Sequence, residues 1–346
     1  MKTLIFCFDG TCNNPEDVSD FFDDESISNI LKLHILLGGK LSPHNDKSEL
    51  IPAQHSFYYS GIGNRGNWLL RNINAVFAPT YGEMDDILSE AHGDLSRHYT
   101  VDDQLYIFGF SRGAAIARMF AAHLTMPIKF LGVFDTVAAT RGSLDLDPET
   151  FPASVIVFEN DILAPHIERA LHILALDEKR LWFQPTLFNQ DARVTEVWFA
   201  GNHSDIGGGY WFDGLSDISL QFMLDNISDE LTVLPLSALN YSALNIVSSN
   251  DKITFDDIVI KPLVNGKLHG QLTTYGHSFT HTERRVRINV DELPSQYLPI
   301  VHLSVAQRFQ QLVEYRPQAL RNVNYKLIDD QGYLTEERYC ISGLAK

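Results

Sequence analysis

The sequence predicts an α/β domain built on a mostly parallel central sheet with helices on both faces. Three observations carry this. Short apolar runs alternate with stretches of helical periodicity. Each run closes on a Gly, Asp or Ser turn, the pattern of buried parallel strands joined by helical crossovers. At 346 residues, 45% hydrophobic and 21% charged, the chain is long enough for a large core and too apolar for disorder as its main state.

Taken in order, Thr3 to Phe8 is an apolar run closed by Asp9-Gly10-Thr11, a buried strand entering a tight turn. Residues 13–28 are acidic and polar and read as a surface loop, and a helix pattern follows over Ile27 to Leu37. Ser56 to Tyr59 is a second strand, ending at Gly61-Ile62-Gly63. Tyr81, Met84, Leu88, Ala91 and Leu95 recur at helical spacing and predict an amphipathic helix over 81–98. Leu105 to Phe108 is a strand leading into Gly109-Phe110-Ser111-Arg112-Gly113, with a helix over Ala114 to Leu124 behind it. Phe130 to Phe134 is a further strand, ending at Asp135-Thr136. A helix is expected around Ile162 to Leu176, then a strand over Val194 to Ala200 that runs into His203-Ser204-Asp205-Ile206-Gly207-Gly208-Gly209. Beyond about residue 245 the periodicity weakens to short alternating runs and one helix over Ser304 to Tyr315. No linker, repeat or charge block divides the chain. It reads as one domain, a core over 1–245 and a β-rich extension over 246–346 packed on it.

Composition excludes several classes. Lys and Arg total 27 against 44 Asp and Glu, a formal charge of −17 that repels phosphate backbones and disfavours nucleic acid as a partner. Three cysteines, Cys7, Cys12 and Cys340, cannot all pair within the chain and form no metal spacing, so reduced thiols in a cytoplasmic protein are expected. The apolar run at the N-terminus is too short for a signal peptide, and no run reaches the ~18 apolar residues of a membrane span. The expectation is a protein that is cytoplasmic as made and whose export, if any, uses no cleavable signal.

Gly109-Phe110-Ser111-Arg112-Gly113 has the form of a nucleophile elbow, and points to an α/β-hydrolase. The elbow places a serine in a strained strand-to-helix turn, and glycines two before and two after relieve the clash. The serine needs a base, and the base needs an orienting carboxylate, in the chain order Ser, acid, His. Asp135 ends a strand 24 residues after Ser111, and His203 follows a strand 92 residues after it. Asp205 competes for the acid role, and His277, His281 and His302 for the base. The backbone N–H of Arg112 and one from Gly10 or Thr11 are the candidate donors to an oxyanion. This chemistry requires no metal or organic cofactor.

Five ordered segments now add up. Phe8-Asp9-Gly10-Thr11, Tyr58-Tyr59-Ser60-Gly61-Ile62-Gly63, Gly109-Phe110-Ser111-Arg112-Gly113-Ala114, Gly132-Val133-Phe134-Asp135-Thr136-Val137 and His203-Ser204-Asp205-Ile206-Gly207-Gly208-Gly209-Tyr210 occur in that order. Together they resemble the uncharacterised α/β-hydrolase domain family that includes the type VI secretion phospholipase effectors of the first lipase class. The resemblance spans roughly residues 1–215, with Ala175-Leu176-Asp177-Glu178 inside it. It implies a Ser-Asp-His triad on Ser111, Asp135 and His203 and, for secreted members, phospholipase A-type cleavage of bacterial membrane lipids. An immunity protein and a secretion-apparatus component are the partners it implies. Ser60 stands where many relatives are acidic, and Phe134 where the family has tryptophan.

Other motifs carry less. Phe8-Asp9-Gly10-Thr11 resembles the start of aspartyl-phosphate phosphatases, but Cys7 stands where that chemistry needs its aspartate. Gly61-Ile62-Gly63-Asn64-Arg65-Gly66 matches a dinucleotide fingerprint without the acidic residue at the end of a following strand. His277, His281 and Glu283 alternate like a strand or loop, not as helix-borne metal ligands. Gly207-Gly208-Gly209 is read as a tight turn beside the base. The expected function is a serine carboxylic-ester hydrolase, a phospholipase or lipase. An intracellular esterase and a non-catalytic hydrolase-like scaffold are the alternatives.

Overall fold

A computed structural model of the chain describes residues 1–11, 24–41, 51–62, 81–138, 163–180, 183–244, 253–270, 282–291 and 293–346. The strands, in chain order, are β1 (Thr3–Phe8), β2 (Gln54–Tyr59), β3 (Gln104–Phe110), β4 (Phe130–Phe134), β5 (Ala170–Ala175), β6 (Val194–Phe199), β7 (Asn289–Val290), β8 (Leu293–Pro294), β9 (Ile300–His302), β10 (Asn324–Ile328) and β11 (Leu334–Tyr339). The α-helices are α1 (Asn29–Leu36), α2 (Tyr81–His98), α3 (Ser111–His123), α4 (His203–Gly207), α5 (Gly214–Asp225), α6 (Phe255–Ile258) and α7 (Leu303–Gln311).

Among the described residues, nine strands form one sheet in the order β11-β10-β9-β6-β5-β4-β3-β1-β2, with β7 and β8 a separate hairpin. Every neighbouring pair in the large sheet is parallel except β10 with β11. The sheet is mostly parallel with helices around it, as the sequence predicts. Alternation along each strand divides the core. Ile5, Cys7, Tyr106, Phe108, Phe130, Leu171 and Ile173 pack with α1 and α5 on one face. Leu4, Phe6, Phe8, Leu105, Ile107, Leu131 and Val133 pack with α2 and α3 on the other. This is the two-residue period of a strand buried on both sides. The chain runs from β1 outward to β2 and returns to β3 on the other side of β1. The sheet order therefore reverses between β1 and β3, where open α/β sheets gather their ligands.

One element differs from expectation. A helix around Ile162 to Leu176 is not what forms: Ala170–Ala175 is strand β5, buried along its whole length between β4 and β6. Five apolar residues around His172 satisfy a helical stripe as well as a doubly buried strand, and only the flanking strands decide between them. The predicted Gly61–Gly66 fingerprint runs beyond the described residues from Gly63, and Cys12, His277 and His281 lie outside them. Cys7 and Cys340 are free thiols. Burial pushes the Cys7 thiol up to about 12, so it stays protonated and is no nucleophile.

Candidate active site

The three residues singled out in the sequence arrive at one end of the sheet. Ser111 follows β3 directly as the first residue of α3, Asp135 follows β4, and His203 opens α4 after β6. Their strands are linked through the register pairs Phe110 with Phe134, Phe134 with Ile173, and Ile173 with Val197.

Ser111 sits at φ 57°, the left-handed region that a non-glycine residue rarely adopts. The neighbouring glycines make this turn sterically feasible. A Cβ on Gly109 would fall 2.6 Å from the Gly113 carbonyl oxygen, and one on Gly113 would fall 2.2 Å from that of Asp9. This turn is thus pressed against the end of β1, where the sequence places the Asp9-Gly10-Thr11 turn. Buried Asp9 organises that turn, accepting from Gly10 N–H at 2.7 Å, Ser28 at 2.5 Å and Tyr58 at 2.7 Å. Arg112 Nε donates to Thr11 Oγ1 at 2.5 Å and ties the first turn of α3 to it.

Asp135 is fully buried at φ 39°. Its carboxylate accepts from His203 Nδ1 at 2.6 Å, from Ala175 N–H at 3.0 Å, and from Arg284 Nη1 and Nη2 at 3.0 and 2.8 Å. Burial alone would raise its pKa. The Arg284 guanidinium and the His203 contact outweigh this and hold the carboxyl far below the usual carboxylate range.

Because a carboxylate only accepts, His203 carries its proton on Nδ1 and presents Nε2 as the acceptor. Nε2 is buried and, among the described residues, Ser111 included, has no hydrogen-bond partner. The imidazole lies between Phe110, at 4.7 Å between centroids, and Phe183, edge-on at 5.0 Å. Arg180 stacks on the outer face of Phe183 at 3.6 Å. The backbone N–H of His203 donates to buried Glu178 at 3.2 Å, and Arg180 clamps the same carboxylate. Gly208 and Gly209, at φ 83° and 112°, turn the chain immediately after α4.

Of the competing residues, the two that are described, Asp205 and His302, are engaged elsewhere. Asp205 caps α4 at the Asn202 N–H and holds His269 Nδ1 at 2.5 Å. His302 caps α7 and stacks on Phe199 at 4.3 Å. Sequence reasoning missed Arg284, which stands 149 positions from its partner in the basic run Arg284-Arg285-Val286-Arg287, where nothing local points to Asp135. It also missed Phe183 and the His269–Asp205 contact. Among the described residues, no helix is long and apolar enough to cross a membrane.

Residues 2–126 and 121–226 match the family model for the catalytic domain of Tle1-like phospholipase effectors of the type VI secretion system. The chain belongs to this family. A Tle1 effector solved bound to the VgrG spike of that system is 27% identical, over 60% of this chain and 51% of its own, with a TM-score of 0.36. An uncharacterized protein from Pseudomonas aeruginosa is 20% identical, over 75% of this chain and 49% of its own, with a TM-score of 0.45. An uncharacterized Saccharomyces cerevisiae protein is 33% identical over 133 residues, 35% of this chain and 17% of its own length. The chain thus spans about half the length of the solved relatives and less of the yeast protein.

Proposed function

We propose that this member of the Tle1-like phospholipase family is a serine carboxylic-ester hydrolase acting on phospholipid acyl esters, with Ser111, His203 and Asp135 as its triad. Ser111 Oγ attacks the acyl carbonyl while His203 Nε2 takes its proton. Asp135 holds the Nδ1–H tautomer and stabilises the imidazolium. The tetrahedral intermediate collapses as the leaving lysophospholipid alcohol takes that proton back. Water, activated by the same nitrogen, then releases the fatty acid.

The N–H groups of Arg112 and Thr11 are the proposed oxyanion donors, since that of Gly10 donates to its own neighbour Asp9. A secretion-spike partner is proposed from the family and from the solved Tle1–VgrG complex. The observation that carries the reading is the 2.6 Å contact between His203 Nδ1 and Asp135, with Asp135 following the strand next to the one that ends at Ser111, itself strained to positive φ.

A fluorophosphonate probe tests it. Wild type should label, and Ser111→Ala should not, with phospholipid hydrolysis falling by a factor on the order of 10⁴–10⁶. Unchanged labelling in Ser111→Ala would remove Ser111 from the nucleophile role.

A further inference from the structure

Asp135 carries a partner that the Ser-His-Asp arrangement does not require. Arg284 forks both of its carboxylate oxygens, at 3.0 and 2.8 Å, and both side chains are fully buried. Such a fork fixes the plane of the carboxylate and opposes its charge, which a flexible ammonium or a neutral amide does not do together. The segment that delivers it is anchored beside the site. Thr282 N–H donates to the Lys179 carbonyl at 2.7 Å, and Lys179 Nζ pairs with Glu283 at 3.2 Å. Arg284 also lies beyond residues 2–226, the part that matches the family model.

Among the described residues, other charged groups near the Asp135–His203 pair are held by partners of their own. Glu178, against the His203 N–H, is clamped by Arg180 at 2.8 Å. Asp205, on the same helix as His203, holds His269 at 2.5 Å. His172 accepts from the Thr136 N–H at 3.1 Å and donates Nδ1 to Glu196 at 2.8 Å. Among the described residues, Arg284 is the cation bonded directly to the pair.

We propose that Arg284 is a positioning residue for this reaction, locking the Asp135 carboxylate toward His203 and lowering the pH at which the Asp135–His203 pair takes up a proton. The proposal rests on the triad reading above. Removing the guanidinium removes a positive charge from beside the pair. Whichever member then holds the proton, the pair takes it up at higher pH, and the base form is lost earlier on acidification.

The test compares wild type, Arg284→Gln and Arg284→Lys in the full chain, with a soluble short-chain fluorogenic ester across pH and active molecules counted by fluorophosphonate titration. Arg284→Gln should move the acid limb of kcat/KM up by about one pH unit or more. Its kcat per active molecule should fall about tenfold to hundredfold, with KM little changed. Arg284→Lys keeps the charge without the fork, so its acid limb should stay in place while kcat falls.

A merely structural arginine would lower the number of active molecules and leave the limb and the kcat of the survivors at wild-type values, which overturns the proposal. If Arg284→Gln does not fold, Arg284→Lys decides, because wild-type kcat in that variant removes the fork. Failure of the triad reading shows separately, as labelling that persists in Ser111→Ala.

Discussion

Ser111 and Asp135 are both held at positive φ, a conformation that costs a non-glycine residue roughly 1–3 kcal/mol. The surroundings hold them there. The Val137 N–H donates to the Ser111 carbonyl at 3.2 Å, and the Asp135 N–H donates to the Ile173 carbonyl at 2.7 Å. Asp177 shows the opposite electrostatic situation to Asp135. Burial pushes its carboxyl up to about 6, against the pull of the Gly201 N–H and the Tyr315 hydroxyl, each at 2.9 Å. Its folded pKa therefore lies above its unfolded value of roughly 3.9, and its contribution to stability is full below that value and lost as pH rises through about 6. About two units correspond to about 3 kcal/mol. Asp177→Asn cannot ionise, so its unfolding free energy should gain about that much on wild type between pH 4 and pH 7 in urea titrations. A constant difference would assign the Asp177 proton wrongly. At this scale Ser111, Asp135 and His203 were legible because each stands at the end of an apolar run. Arg284 was not, because nothing in its neighbourhood names a partner 149 positions away.

The β3–turn–α3 unit is where local pattern and tertiary packing agree most closely. Gly113 lets α3 lie against the end of β1, where a Cβ would sit 2.2 Å from one backbone oxygen and 2.4 Å from another. Backbone cannot yield as a side chain does. Gly113→Ala should lower stability by on the order of 3 kcal/mol and reduce fluorophosphonate labelling as Ser111 shifts. Gly93 in α2 is the control, since a Cβ there meets nothing within 4 Å. Gly93→Ala should stabilise by about 0.5–1 kcal/mol through helix propensity alone, as a denaturation midpoint will show. The β5 segment marks the limit of reading by element. Apart from buried His172 its side chains are apolar on both faces, because both sides of the sheet are covered, and that erases the alternation that would have named it a strand.

Across the whole molecule, β9, β10 and β11 extend the sheet beyond β6 and complete a third part of the core. Leu174, Trp198 and Ala200 pack there with Val301, Val305, Tyr315, Leu320, Tyr325 and Leu327. Ending the chain at residue 226 would bare β6 and fully buried Trp198, and would remove Arg284. Such a fragment should bind a hydrophobic dye or aggregate, and the full chain should do neither; a cooperatively unfolding, labelling-competent fragment would show that the C-terminal strands are dispensable. The formal charge of −17 also acts over the whole molecule. Hydrolysis of anionic vesicles should rise as salt is brought from 0.01 M to about 0.15 M, while that of zwitterionic vesicles stays flat, because the Debye length shortens from ~30 to ~8 Å.

The sequence by itself determined the fold class and named Ser111, Asp135 and His203 as the candidate site residues. These rest on local periodicity and on residues confined to strand ends, which are visible without knowing what lies alongside. Tertiary structure alone decided that Ala170–Ala175 is a strand, that Asp205 serves His269 instead of His203, and that Arg284 grips Asp135. Those outcomes depend on which segments the sheet order brings together, and a charged or apolar side chain takes its role from the neighbour it meets there, not from its place in the chain.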